Sequence, residues 1–309
     1  MNSCLMNKGL ERMYMAEARV DQAAGMRRQS NPKPVRVITI ASGKGGVGKT
    51  NVSANLAMAL TNMGKKVMLM DADLGLGNVD VMLGVHPVYN LSHVINGERT
   101  LEEVIVEGPA GINIIPASSG IKNMAELTPE EHVGLVRAFS ELGNDIDVLL
   151  IDTAAGISDS VVTFSRAAQE VLVVVCDEPA SITDAYALMK VLNKEHGIQR
   201  FRVLVNMVHS VQQGRELFGK LLKVTDKFLD VTLDFIGTVP FDDYLRKAIQ
   251  RQRAVCDVYP RSRSSLAFKK LAQSVDRWPV ASHANGHLEF FIERLVYNEP
   301  EQWLTENVS

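Results

Sequence analysis

Long apolar runs are missing from this 309-residue chain. None reaches the roughly 18 residues needed to cross a bilayer, so no spanning helix is predicted. The polar, Met-rich N-terminus also lacks the apolar core of a secretion signal. Cysteine is scarce. Cys4, Cys176 and Cys256 stand far apart with no CxxC spacing, which argues against a disulfide framework and a paired-thiolate metal site. A large excess of one charge is absent too. The formal net charge of −3 gives no bulk field to draw nucleic acid or anionic lipid. What remains is 46% hydrophobic and 22% charged, an ordinary globular balance. A reducing, cytoplasmic location is the expectation.

Three segments are predicted. Residues 1–35 form an arm with six basic and three acidic side chains, and they end in Ser30-Asn31-Pro32-Lys33-Pro34. The prolines discourage helix continuation, although residues 9–28 have helical character. Residues 36–280 form the main domain. Residues 281–309 form a small-residue linker and a short amphipathic tail.

Within the main domain, short β-branched runs alternate with helical spacing. The runs are Val35–Ile40, Lys66–Met70, Ile112–Pro116, Val148–Ile151, Val171–Cys176, Phe201–Val205 and Phe235–Val239. Their near-continuous apolarity suits strands covered on both faces. The alternation predicts an α/β fold, a doubly wound and mainly parallel sheet flanked by helices. Ligands bind such sheets at the carboxyl ends of the strands.

The first run leads into Gly43-Lys44-Gly45-Gly46-Val47-Gly48-Lys49-Thr50-Asn51. This is GxxxxGK[ST] between a strand and a helix, a P-loop. Glycines let backbone N–H groups turn toward phosphate oxygens, and the helix N-terminus adds positive potential. Lys49 is predicted to reach the β- and γ-phosphates of ATP and Thr50 to ligate Mg²⁺. Two further strands end in acids. One is Met68-Leu69-Met70-Asp71-Ala72-Asp73. The other, Val148-Leu149-Leu150-Ile151-Asp152, has Walker B form and runs into Thr153-Ala154-Ala155-Gly156. Asp152 is the predicted carboxylate on the Mg²⁺ side, with Asp71 as support through water. Asp159 reads as a helix N-cap.

The stretches SGKGGVGKT, DADLGLGN, DTAAGI and CDEP, in this order, resemble the MinD/ParA-like ATPases over residues 36–280. More narrowly, the chain resembles the flagellar-number regulators of the FlhG/FleN family. The resemblance makes Gly43–Asn51 a deviant Walker A loop. Its early lysine, Lys44, meets the nucleotide of the opposite subunit in an ATP-sandwich homodimer and offsets transition-state charge there. It assigns Asp73 to the first switch loop, orienting the attacking water, and the turn after Asp152 to the second switch. It places Asn206 and the Pro240-Phe241-Asp242 stretch beside adenine, although turn chemistry explains Asn and Pro there nearly as well.

The chain ends carry the narrower resemblance. Asp21-Gln22-Ala23-Ala24-Gly25-Met26-Arg27-Arg28 resembles the segment with which that family stimulates an FlhF-type GTPase. An Ala23/Met26 face beside Arg27 and Arg28 suits docking in a groove. In the tail, Leu288, Phe291, Ile292 and Leu295 fall on one helix face. The family uses such a face on the inner membrane when ATP is bound. Residues 286–309 carry five acids and one base, the wrong sign for anionic lipid. Weak apolar membrane contact at the cell pole and packing on the chain's own domain both remain open.

Tyr244–Lys270 holds eight basic residues and one acid, Asp257. A solvated helix face explains this, and so does an acidic partner. The family restrains a FleQ/FlrA-type transcription activator, and flagellar switch proteins are further candidate partners. Partition and division-site ATPases share the core motifs. Direct DNA binding is not expected, and the dispersed cysteines disfavour an iron–sulfur carrier.

Overall fold

The computed structural model describes residues 34–73, 77–117, 146–279 and 288–296, with a few positions between 134 and 142. The arm and its DQAAGMRR segment lie outside the described residues.

All seven apolar runs form strands: β1 (Arg36–Ser42), β2 (Val67–Ala72), β4 (Asn113–Ile115), β5 (Val148–Ala155), β6 (Glu170–Cys176), β7 (Arg200–Val208) and β8 (Thr232–Pro240). A two-residue edge strand, β3 (Val106–Glu107), was too short to stand out in the pattern and pairs antiparallel with β4. The order is β3-β4-β2-β5-β1-β6-β7-β8, parallel at every pairing except that edge. β1 and β5 therefore occupy the centre, and every residue of β1 is buried.

Helices cover both faces, which is why the strands read as unbroken apolar runs. On one face, Ile38, Ile40, Leu69 and Leu150 pack with α1 (Lys49–Thr61) and α10 (Arg263–Asp276) through Leu56, Leu60, Phe268 and Leu271. On the other, Val173, Val175 and Val203 meet α6 (Pro179–Lys194) and α7 (Val211–Phe228) through Leu188, Met189 and Leu217. The same face carries α5 (Asp159–Ala167), whose Phe164 packs with Leu149 and Ile151. The α5 N-cap is Ser158, one residue before the expected Asp159, which falls instead in the first turn. A carboxylate there still favours the positive helix end. Shorter helices lie in the connections: α2 (Val79–Leu83), α3 (Leu91–Ile95), α4 (Leu101–Val104), α8 (Asp243–Gln250) and α9 (Val255–Val258).

The tail helix, α11 (Leu288–Val296), lies on α5. Leu288, Phe291, Ile292 and Leu295 are all buried in the cluster containing Phe164 and Ala167. Arg294 Nη2 donates to the Arg166 carbonyl over 2.6 Å. Of the two openings left by the sequence, the described arrangement is packing on the chain's own domain.

At the sheet's amino edge a polar latch joins distant parts of the chain. Arg202 donates to both oxygens of Glu170 at 3.0 and 3.1 Å and to Asp234 Oδ2 at 2.7 Å. Its guanidinium also covers the Trp278 ring, 4.4 Å from the centroid. Arg36 Nη2 donates to the Trp278 carbonyl at 2.5 Å. Removing one partner of a buried ion pair leaves uncompensated charge, a penalty of about 3–5 kcal/mol. Arg202→Ala is expected to lose stability at the lower end of that range in urea denaturation. Arg202→Lys should recover little, because an ammonium cannot replace the forked, stacked geometry.

Candidate nucleotide-binding site

The P-loop leaves β1 and wraps over the carboxyl edge of the sheet. Its path depends on two close approaches. A Cβ added to Gly43 would sit 2.1 Å from the Asp184 carbonyl carbon, so α6 touches the loop backbone to backbone. Gly48 adopts φ +83°, and a Cβ there would meet Asn206 Nδ2 at 2.5 Å. Asn206 donates from that nitrogen to the Val47 carbonyl at 2.8 Å and fixes the loop from β7. Ser42 Oγ donates to the Lys44 carbonyl at 3.0 Å, and Gly156 N–H donates to the Ser42 carbonyl at 2.8 Å. The turn after Asp152 is thereby tied to the loop's first residues.

Lys44–Asn51 line an open cavity of about 510 Å³, together with Ser42, Asp73 and Ala155. Its outer wall comes from Asn78, Val81, Met82, Met207, Ile249 and Gln252. Met207 (φ 58°) and Gln252 (φ 53°) are two of three non-glycine residues with left-handed backbones among those described. Backbone strain of this kind concentrates at ligand-binding positions.

The two lysines of the loop have different surroundings. Lys49 is buried, 3.2 Å from Asp152 Oδ1, and also donates to the Thr153 carbonyl. Ser53 Oγ donates to the same Asp152 oxygen at 2.7 Å. Lys44 stands at the exposed rim in an ion pair with Glu178, the residue before α6. That hydrogen bond raises the Lys44 pKa.

Asp71 and Asp152 face each other in register on β2 and β5, both buried beneath the cavity. Asp71 is occupied by backbone donors: Oδ1 accepts from Asp73 N at 3.1 Å, and Oδ2 from Asn78 N at 2.9 Å and Val79 N at 3.1 Å. It holds the base of the loop that carries Asp73 into the cavity.

The remaining expected contacts are less direct. Gly43 underlies the loop rather than lining the cavity. Asn206 braces the loop, and its Oδ1 is buried without a hydrogen-bond partner, as is Asn51 Oδ1. Pro240 and Asp242 do not line the cavity. Asp242 caps α8 through Tyr244 N at 3.0 Å and accepts from Ser264 N and Oγ at 2.9 and 2.8 Å, which pins the start of α10. Its carboxylate is thus committed to joining two helices.

Sequence reasoning missed Ser53, Glu178 and the wall residues Val81, Met207, Ile249 and Gln252. Ser53 was within reach, since it lies one helical turn after Lys49. The others depend on tertiary approach and left no local signal.

Comparison with known proteins places the geometry. A family model described as "ParA: NUBPL iron-transfer P-loop NTPase" matches residues 33–276. The antiactivator FleN of Pseudomonas aeruginosa is 59% identical over 271 residues, 88% of this chain and 97% of that protein. The chain belongs to the ParA/MinD family of P-loop ATPases, in its FleN/FlhG branch. The flagellum site-determining protein YlxH of Helicobacter pylori is 32% identical, covering 78% of this chain and 82% of its own. Among solved structures, the MinD cell division protein of Aquifex aeolicus superposes with TM-score 0.64 and 26% identity over 80% of this chain and 98% of that one. MinD of Pyrococcus horikoshii, solved with Mg-ADP, gives 0.61 and 27% over 79% and 96%. The iron-transfer wording finds little echo in the described thiols. Cys176 and Cys256 are buried, and desolvation pushes the Cys256 thiol up to about 12, unfavourable for a thiolate ligand.

ATP with Mg²⁺ fits this site. The first turn of α1 has no side-chain cap, so its N–H groups are available to phosphate at the helix N-terminus. Lys49 and Asn51 line the cavity, so an ammonium and an amide are in place at the start of α1 to meet a bound nucleotide. Bound Mg²⁺ would supply charge neutralisation on the phosphates.

Burial is the main force on Asp71. Despite its backbone hydrogen bonds, and with added repulsion from Asp152, its pKa is pushed up to about 6 from an ordinary 3.8. A raised folded-state pKa contributes stability at low pH that disappears as pH rises through the folded value. In nucleotide-free protein, stability relative to the non-titrating Asp71→Asn variant should fall on the order of 3 kcal/mol between about pH 4 and about pH 7. Chemical denaturation of both proteins across that range checks the sign. A flat difference would remove Asp71 as the titrating group.

Proposed function

We propose that this ATPase is a nucleotide-timed homodimer that controls the number or placement of polar flagella. The observation that carries the reading is the division of labour between the loop lysines. Lys49 is buried among Asp152, Thr153 and its own P-loop, whereas Lys44 is held at the rim by an exposed carboxylate. A rim lysine of this kind suits a second nucleotide across a two-fold interface, where it acts as a charge supplied in trans. In this reading Lys49 binds the β- and γ-phosphates, Thr50 and Asp152 hold Mg²⁺, and Asp73 orients the attacking water. Asp71 shapes the switch loop beside the metal.

The dimer then reports to partners. The arm, through Asp21, Gln22, Ala23, Met26, Arg27 and Arg28, stimulates an FlhF-type GTPase. The ATPase body restrains a FleQ/FlrA-type transcription activator. FleN of Pseudomonas aeruginosa, named an antiactivator, and YlxH, named for flagellum site determination, support this direction. The work takes place in the cytoplasm, with the pole as its destination.

Light scattering after size exclusion tests the timing. Asp73→Ala is expected to accumulate a dimer with ATP and to run as a monomer with ADP. A monomer in both states overturns the sandwich. Lys44→Ala should keep ATP binding within about threefold but lose hydrolysis by at least roughly a hundredfold, since trans cations of this type contribute 10³–10⁵ in rate.

Burial of Leu288, Phe291, Ile292 and Leu295 favours a tail kept on α5, so membrane contact requires its release. Liposome co-sedimentation of the full chain, with ATP and with ADP, is expected to find no ATP-dependent partition. Partition that appears with ATP and vanishes on truncation after residue 285 reverses this assignment.

A further inference from the structure

A surface outside the phosphate loop has the chemistry of a docking face. Between Tyr244 and Lys270, α8, α10 and the turns around α9 expose eight basic side chains in a chain whose net charge is −3, so positive charge is concentrated here. The acid within this stretch, Asp257, is paired with Arg253. Asp243 lies just outside it, in the first turn of α8.

Aromatic and aliphatic groups are set among these cations. Tyr244 packs against Tyr259 with ring centroids 4.9 Å apart. Lys247 Nζ stands 5.2 Å from the Tyr244 ring and the Arg251 guanidinium 5.6 Å from that of Tyr259. Arg263 Nη2 donates to the Phe241 carbonyl at 3.2 Å, bringing α10 alongside the start of α8. Exposure is large for Phe241 (49%), Tyr244 (48%) and Leu266 (49%). Along α10, Arg263, Leu266 and Lys270 follow helical spacing and are all exposed, so cation, apolar group and cation share one face.

We propose that this face of α8, α9 and α10 docks an acidic segment with an apolar stripe on a partner protein. Charge complementarity sets the sign of the partner, because seven positive charges net within 27 consecutive residues steer carboxylates toward it. The apolar groups select protein over nucleic acid. Single-strand binders offer open aromatic faces on which bases stack. Here the tyrosines pack on each other and carry Lys247 and Arg251, while Leu266 offers an aliphatic contact that suits a leucine or phenylalanine. Position adds a consequence. Ile249 and Gln252, at the end of α8, wall the nucleotide cavity, so the docking helix borders the site that distinguishes ATP from ADP.

The inference does not depend on the flagellar reading, and the test leaves the ATP site untouched. The probe is a fluorescein-labelled helical peptide of glutamates with a leucine stripe, titrated with the full-length protein at physiological salt. A leucine-free glutamate peptide and duplex DNA are titrated alongside. The striped peptide should bind most tightly. Its affinity should fall at least roughly tenfold in the double variant Lys247→Glu, Arg251→Glu and several-fold in Leu266→Asp. Reversing Lys220 and Lys223 on α7, another exposed basic helix, should change it by less than about twofold. Mant-ATP binding confirms that each variant is folded. Equal losses from the α7 reversals would reduce the effect to general charge and overturn the proposal. Indifference to Lys247, Arg251 and Leu266 would do the same. Tighter binding of duplex DNA would assign the face to nucleic acid and overturn it as well.

Discussion

A buried contact between an ammonium and a carboxylate governs this molecule. Lys49 begins α1, Asp152 lies near the end of β5, and 3.2 Å separates them. Neither charge tolerates burial alone. Together, with Ser53 Oγ and the Thr153 carbonyl, they fasten the helix after the P-loop to a central strand. The floor of the cavity, the turn after Asp152 and the register of β5 beside β1 and β2 all meet at this point. A phosphate bound beside Lys49 would compete with Asp152 for its ammonium group.

At the amino edge of the sheet, Arg202 donates to Glu170 and Asp234, and Arg36 Nη2 donates to the Trp278 carbonyl. At the carboxyl edge, Asn51 and Asn206 keep buried acceptors unpartnered, and Met207 and Gln252 hold left-handed backbones. Two left-handed backbones thus line the cavity at the open edge of the parallel sheet, where ligands bind.

Much of this was legible in the sequence, for identifiable reasons. The strands announced themselves because both faces of β1 and β5–β7 are covered, leaving no polar alternation to confuse them with surface strands. The P-loop was legible because its glycines answer local requirements, a left-handed turn at Gly48 and the backbone of α6 against Gly43. β3 escaped because two residues carry no period. Asp242 illustrates another limit. Its neighbours place it near a base-binding loop, yet its carboxylate caps α8 and secures α10, a use visible only once Ser264 is brought across 22 positions of sequence. The Lys44–Glu178 pair spans 134 positions and is equally silent in one dimension. The tail's apolar face was read correctly as a face. What covers it depended on whether α5 offered a matching surface, and Phe164 and Ala167 provide one.

The latch at Trp278 has a consequence for how the protein is made. Arg36 belongs to the central strand and emerges early from the ribosome, but the carbonyl it needs lies 242 residues later. At about 5–20 residues per second, β1 waits on the order of 10–50 s for its final neighbour. Throughout that interval the phosphate loop exists without a closed domain beneath it. The hydrogen bond that Arg36 donates to Trp278 is therefore a late event, made after the phosphate loop and the strands beside it have been synthesised.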